Sequence, residues 1–229
     1  MPSGAIFVKW QAICLSMNHI DFIRQHTELL SPPLVPEVRL HLAHEAIPIW
    51  QKTEDELGAL GLPPPFWAFA WAGGQALARY ILDNTEIVRN KSILDLASGS
   101  GMVAIAAMKA GALSVLAADI DDFSIAAIKL NAKANACEIV TTSHNLLGQP
   151  APHFDVILVG DMFYEKTTAE KCLEFLKTSN ANILIGDPSR SYLPKEQLQK
   201  IATYSVPVSR DLEDTEIKQT SVWKLASRC

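Results

Sequence analysis

The chain has 229 residues, 48% of them apolar and 20% charged, with a net charge of −5. That length suits one large α/β domain with an extension, and the acidic balance argues against a nucleic-acid binder, which is more often basic. The four cysteines (Cys14, Cys137, Cys172 and Cys229) include no C-x-x-C pair and read as free thiols in a reducing, cytoplasmic setting. No apolar run approaches the ~18 residues of a membrane span, so no membrane association is expected.

Residues 1–16 read as a leader outside the native fold, with Met17 as an alternative start. "AIFVKWQAICL" carries Lys9 and Gln11 and lacks the cleavage site of a signal peptide. Residues 18–60 show helical spacing with breaks: "DFIRQHTELL", then "SPPLVP", whose prolines interrupt any helix, then "EVRLHLAHEAIPIWQKTEDELGAL". Residues 1–60 are therefore expected to form an N-terminal helical extension, and 61–229 the main domain. "GLPPPFWAFAWAGG" is a loop whose glycines release the chain into the helix "QALARYILDN".

From Lys91 strands alternate with helices. "SILDLA", "LSVLAADI", "EIVTT", "FDVILVGD" and "ANILIGD" read as strands; "GMVAIAAMKAG", "DDFSIAAIKLNAKAN", "TTAEKCLEFLK" and the short "PKEQLQKIA" read as helices. Asp121 or Asp122 is placed to cap the second of these helices. The last two runs, "TYSVPV" and "QTSVWKLA", suggest a terminal antiparallel hairpin tipped by "RDLEDTEIK". This pattern predicts a parallel sheet with helices on both faces.

In such a sheet a ligand lies beyond the carboxyl ends of the strands. "ILDLASGSGMVA" is a glycine-rich turn between a strand and a helix, and "GSGMVA" fits a dinucleotide fingerprint as well as a methyltransferase loop. An acidic residue just before the glycines, Asp95, suits a cationic ligand and suits a pyrophosphate poorly. Asp119, ending the second strand, can accept ribose hydroxyls in either case. The ~90 residues before the glycine turn and the terminal hairpin favour S-adenosylmethionine. A nicotinamide-dependent oxidoreductase and a non-catalytic cofactor-binding module remain the alternatives. His144 and His153 have no partner at metal-ligand spacing and read as loop residues, so no metal is expected.

The segments "PPLVPEVRLHLAHEAIPIWQKTEDELG", "LPPPFWAFAWAGGQALARYILDN", "ILDLASGSGMVAIAAMKAGA", "AADIDDFSIAAIKLNAKAN", "DVILVGDMFYEK" and "LIGDPSRSYLP" resemble the class I, seven-β-strand methyltransferases. Within these the chain is similar to the electron transfer flavoprotein β-subunit lysine methyltransferases, bacterial branch. The resemblance implies a Rossmann-like seven-stranded sheet, S-adenosyl-L-methionine as cofactor with S-adenosyl-L-homocysteine as product, and a protein substrate, the flavoprotein β subunit, acted on by a monomer. Another protein, such as a ribosomal protein, or a small molecule is the alternative acceptor. It also implies cofactor contacts from Trp71, Asp95, Ala97, Gly99, Gly101, Asp119, Ile120, Asn145, Leu146 and Asp161. Asp161 and Tyr164, in a D-x-x-Y arrangement after the fourth strand, are the catalytic candidates. Ala97 departs from the first glycine of the family loop, and Asn145 stands where relatives tend to have Asp. For Asp161 and Tyr164 the bland alternatives are a helix cap and a core tyrosine; for Trp67 and Trp71, a hydrophobic plug.

Overall fold

The computed structural model describes residues 18–43, 64–208 and 216–225. The leader, the helical reading of residues 44–60 and most of the charged hairpin tip lie outside them.

The centre of the fold is a seven-stranded sheet of order β5-β4-β3-β6-β7-β9-β8. Its strands are β3 (Ser92–Leu96), β4 (Ser114–Ala118), β5 (Val140–Thr142), β6 (Val156–Gly160), β7 (Asn182–Asp187), β8 (Leu198–Pro207) and β9 (Ile217–Leu225). The first five run parallel, and β9 inserts antiparallel between β7 and β8. The strand order reverses between β3 and β6, which is where a ligand crevice opens in a doubly wound sheet. All seven strands match the sequence reading, and the terminal hairpin is present. "PKEQLQKIA" is a correction. Only Lys195–Gln197 turns helically, and β8 begins at Leu198. A lone short helix is marginal, and pairing of this run with β9 wins.

Strand alternation divides the core. Ile93, Val115, Ala117, Val156 and Leu158 face α2 (Ala72–Asp83) and α3 (Met102–Lys109). Leu94, Leu96, Ile157, Val159, Ile183 and Ile185 face α5 (Lys166–Lys177), which contributes Cys172, Phe175 and Leu176. Most of these side chains are fully buried, each worth about 1.5–3 kcal/mol of transfer free energy. α4 (Asp122–Ala134) starts at Asp121, whose carboxylate accepts the Phe123 and Ser124 N–H groups.

The N-terminal extension is a second correction. α1 (His19–His26) is helical, but β1 (Thr27–Leu30) and β2 (Leu40–Ala43) form an antiparallel pair. The prolines of "SPPLVP" end helix formation, and α4 supplies partners for an extended edge. Asn131 accepts the His41 N–H at 2.7 Å, and Asn135 accepts that of Arg39 at 3.0 Å. Asn131, fully buried, also donates to the Ser100 carbonyl at 2.8 Å, so one side chain links the extension to the glycine turn.

Candidate active site

At the carboxyl ends of β3, β4, β6 and β7 lies a cleft of about 530 Å³. The turn after β3 forms its floor. Ala97, Gly99 and Gly101 all take positive φ (53°, 55° and 80°), which folds residues 97–101 back on themselves. Asp95 and Asp119 hold this turn from below. Asp95 accepts the Ser98 hydroxyl and the Ala104 N–H at 3.0 Å; Asp119 accepts the Gly99 N–H at 2.8 Å. Burial pushes Asp95 up to about 7 and raises Asp119 as well. A carboxylate short of solvent is stabilised by hydrogen-bond donors or positive charge placed beside it.

One wall is aromatic. Phe66, Phe69 and Trp71 precede α2, with Trp71 fixed by its Nε1–H on the Phe66 carbonyl at 2.9 Å. Tyr164 faces Phe66 with ring centroids 5.5 Å apart and is 45% exposed, so it sits at the mouth and not in the core. Ile120 and Asn145 are exposed beside the cleft and Leu146 is half-buried; the Asn145 side-chain carbonyl accepts the Leu147 N–H at 3.0 Å.

The opposite wall depends on four glycines. α2 is seated so closely on β6 and β7 that a Cβ on Gly73 would stand 2.2 Å from the Gly186 carbonyl oxygen, and one on Gly160 3.3 Å from the Gly74 Cα. That approach brings the first turn of α2 to Asp161, whose Oδ2 accepts the Gly74 N–H at 2.9 Å. Asp161 itself has φ 50° and leaves β6 through a backbone bond to Gly186. Its other oxygen, Oδ1, is 3.0 Å from Nη2 of Arg190. Asp161 does not cap α5; Glu165 does.

Ten of the eleven residues singled out from the sequence line this cleft: Trp71, Asp95, Ala97, Gly99, Asp119, Ile120, Asn145, Leu146, Asp161 and Tyr164. Gly101 does not. It starts α3 and packs on α4, where a Cβ would meet Ile128 at 3.3 Å. Trp67 is core, stacked on Phe123. Sequence reasoning missed Arg190, Gly73, Gly74 and the buried Asp187. Their signals were a glycine near the end of two adjacent buried strands opposite a Gly-Gly pair, and a cation three residues beyond a strand-ending Asp.

The strand order and the cleft at its switch point are those of the seven-stranded methyltransferase fold. Residues 75–162 match the family model described as ribosomal protein L11 methyltransferase (PrmA). A crystal structure of ribosomal protein L11 methylase from Lactobacillus delbrueckii subsp. bulgaricus superposes with a TM-score of 0.50 and 22% identity, covering 69% of this chain and 81% of that one. The electron transfer flavoprotein beta subunit lysine methyltransferase of Xenopus laevis is 39% identical over 212 residues, 89% of this chain and 85% of that protein. The Homo sapiens protein of the same description is 37% identical, covering 88% and 80%. The chain belongs to the electron transfer flavoprotein β-subunit lysine methyltransferase family.

Proposed function

We propose that this protein transfers methyl groups from S-adenosylmethionine to lysine side chains of the electron transfer flavoprotein β subunit. The observation that carries the reading is the meeting, in one cleft, of Asp161 and Tyr164 with the turn held by Asp95 and Asp119. The donor set fits the cofactor. Buried carboxylates suit its ribose hydroxyls and cationic tail, and the Cβ direction of Gly99 is open, with the Phe66 carbonyl 3.9 Å away as nearest neighbour. When bound, S-adenosylmethionine supplies an activated methyl on a sulfonium. Asp119 would accept hydrogen bonds from the ribose hydroxyls, and the backbone of residues 97–99, with Asp95 beneath it, would receive the amino-acid tail. Ile120, Asn145 and Leu146 would border the adenine, and Trp71 would close the aromatic side.

The chain's remaining task is to deliver a neutral amine. At pH 7 only about one lysine in ~2,500 is neutral, which amounts to roughly 4.6 kcal/mol. For the methyl to pass to nitrogen, the lysine ammonium must first give its proton to water, and the chain's own residues would hold the resulting neutral amine with its lone pair toward the cofactor. Asp161 accepts an amine N–H and aims the lone pair, and Tyr164 borders the channel through which the side chain enters. This is catalysis by positioning. The protein acts as a monomer in the cytoplasm and takes a protein rather than nucleic acid. The net charge of −5 favours a protein over a nucleic-acid substrate, and the free thiols of Cys137 and Cys172 fit a reducing compartment. Among the described residues no helix is long and apolar enough to cross a membrane.

The test is single-turnover methylation by Asp161→Asn and Tyr164→Phe, with calorimetry of S-adenosylhomocysteine binding. Asp161→Asn is expected to lose at least ~100-fold in rate, about 2.7 kcal/mol, while product affinity stays within a few-fold; Tyr164→Phe loses less. Cofactor affinity falling in step with rate would move Asp161 into the cofactor's shell.

A further inference from the structure

Arg190 follows β7 and turns back over the cleft. Its backbone N–H is held by Oδ1 of Asp187 at 2.7 Å, and Asp187 is fully buried. Its guanidinium reaches Oδ1 of Asp161 at 3.0 Å and lies 5.8 Å from the centre of the Trp71 ring. Both members of the ion pair are largely enclosed, with side chains 21% and 11% exposed. The Asp161 carboxylate is thus gripped from two sides, by Arg190 on one oxygen and the Gly74 N–H on the other.

A carboxylate beside a substrate amine has a drawback. It stabilises the ammonium, the form without a lone pair. We propose that Arg190 is a positioning residue for methyl transfer, which by pairing with Asp161 stops that carboxylate from holding the incoming lysine as an unreactive ammonium. The inference rests on the reading of Asp161 as the group that orients the amine. An ion pair presents little net charge to a third group, so the amine's proton affinity is not raised. An ionised carboxylate has about four acceptor directions, so Asp161 still accepts an N–H from the neutral amine. Arginine suits the task because its guanidinium stays charged and its planar fork fixes the carboxylate. The other charged or titratable groups around the pair are Asp187 from β7, Tyr164 from the turn after β6 and Lys171 from α5. Asp95 and Asp119 lie at the ends of β3 and β4, with Asp121 and His144 also on the cleft wall.

The experiment compares wild type, Arg190→Met, Arg190→Lys and Asp161→Asn in steady-state methylation of purified flavoprotein β subunit between about pH 6.5 and 9.5. Melting temperature and S-adenosylhomocysteine affinity are measured alongside. A second readout needs no turnover: the ¹³C NMR titration of ¹³C-dimethylated β subunit bound to each enzyme with S-adenosylhomocysteine. Arg190→Met is expected to show kcat about tenfold lower near pH 7, a KM unchanged or lower, and recovery by about pH 9.5. Both the rate limb and the dimethylamine titration move up by about one pH unit, and Arg190→Lys falls between. An equal loss at every pH, a raised KM, an unmoved NMR titration, or affinity or melting temperature lost in step with activity would overturn the inference. Full activity in Asp161→Asn would overturn the reading beneath it. An inactive Asp161→Asn beside a wild-type Arg190→Met would overturn the Arg190 inference alone.

Discussion

The seating of α2 on the sheet is where stability and the active site meet, and Gly73→Ala tests it. Gly73 is helical, so alanine there should gain about 1 kcal/mol of helix propensity. Against that, the new methyl would stand 2.2 Å from the Gly186 carbonyl oxygen and 2.5 Å from Oδ2 of Asp161. Real Cβ contacts essentially never fall below 3.0 Å, so the start of α2 must retreat by about 0.8 Å, the difference between 2.2 and 3.0 Å. Overpacking of this kind costs about 1–3 kcal/mol. The same retreat stretches the 2.9 Å bond from Gly74 to Asp161, a charge-assisted bond worth about 1.5–3 kcal/mol. The net expectation is a loss of about 1.5–5 kcal/mol in urea unfolding, together with a fall in methylation rate because Asp161 is displaced. Gly74→Ala is the control. Its methyl meets the Met102 methyl at 2.8 Å, the free end of a flexible side chain that can swing aside, so stability should change by less than about 1 kcal/mol. A Gly73→Ala protein as stable as wild type, or more so, would refute the close seating of helix on sheet.

Ala97 occupies the left-handed region at φ 53°. Ala97→Gly removes a strain of about 1–2 kcal/mol and adds about 0.5–1 kcal/mol of chain entropy to the unfolded state, so the protein should gain up to ~1.5 kcal/mol in urea unfolding; a loss would show that the Ala97 methyl makes a needed contact. Burial pushes Asp187 up to about 7 from 3.8, and its Oδ2 has no partner among the described residues. A carboxyl raised by folding takes up a proton on folding, so its contribution is complete below about pH 4 and is lost as pH climbs through about 7. An amide at this position cannot ionise, so Asp187→Asn should gain on wild type by up to about 1.4 kcal/mol per pH unit across that window, read from urea midpoints at several pH values; parallel pH profiles would contradict it.

The sheet was legible because its signals are local. Buried parallel strands such as "DVILVG" and "ANILIG" are continuous apolar runs, and the helices between them carry apolar spacing and an Asp cap. The glycine turn, Asp95 and Asp119 were legible for the same reason: strand, turn and helix lie within thirty residues. What failed depended on distant partners. "TELL" and "RLHLA" follow helical spacing as well as strand alternation, and α4 asparagines about ninety residues away stabilise the extended form. Arg190 has no meaning in the sequence without Asp161, twenty-nine positions earlier on a neighbouring strand end. Gly101 fits the loop motif as well as Gly99 does, and only the packing of α3 on α4 separates a glycine that lines the cleft from one that makes room for Ile128. Local pattern specifies elements; close approach between elements specifies the site.

Whether a lysine of the flavoprotein β subunit accepts the methyl group is decided most directly by intact-mass spectrometry. Folded β subunit from the protein's own source is incubated with the enzyme and S-adenosylmethionine, weighed intact and then mapped by peptide. Increments of whole methyl groups on lysine are expected, absent with Asp161→Asn. An unmodified β subunit under conditions where the enzyme methylates another protein or a small molecule would contradict the proposed acceptor.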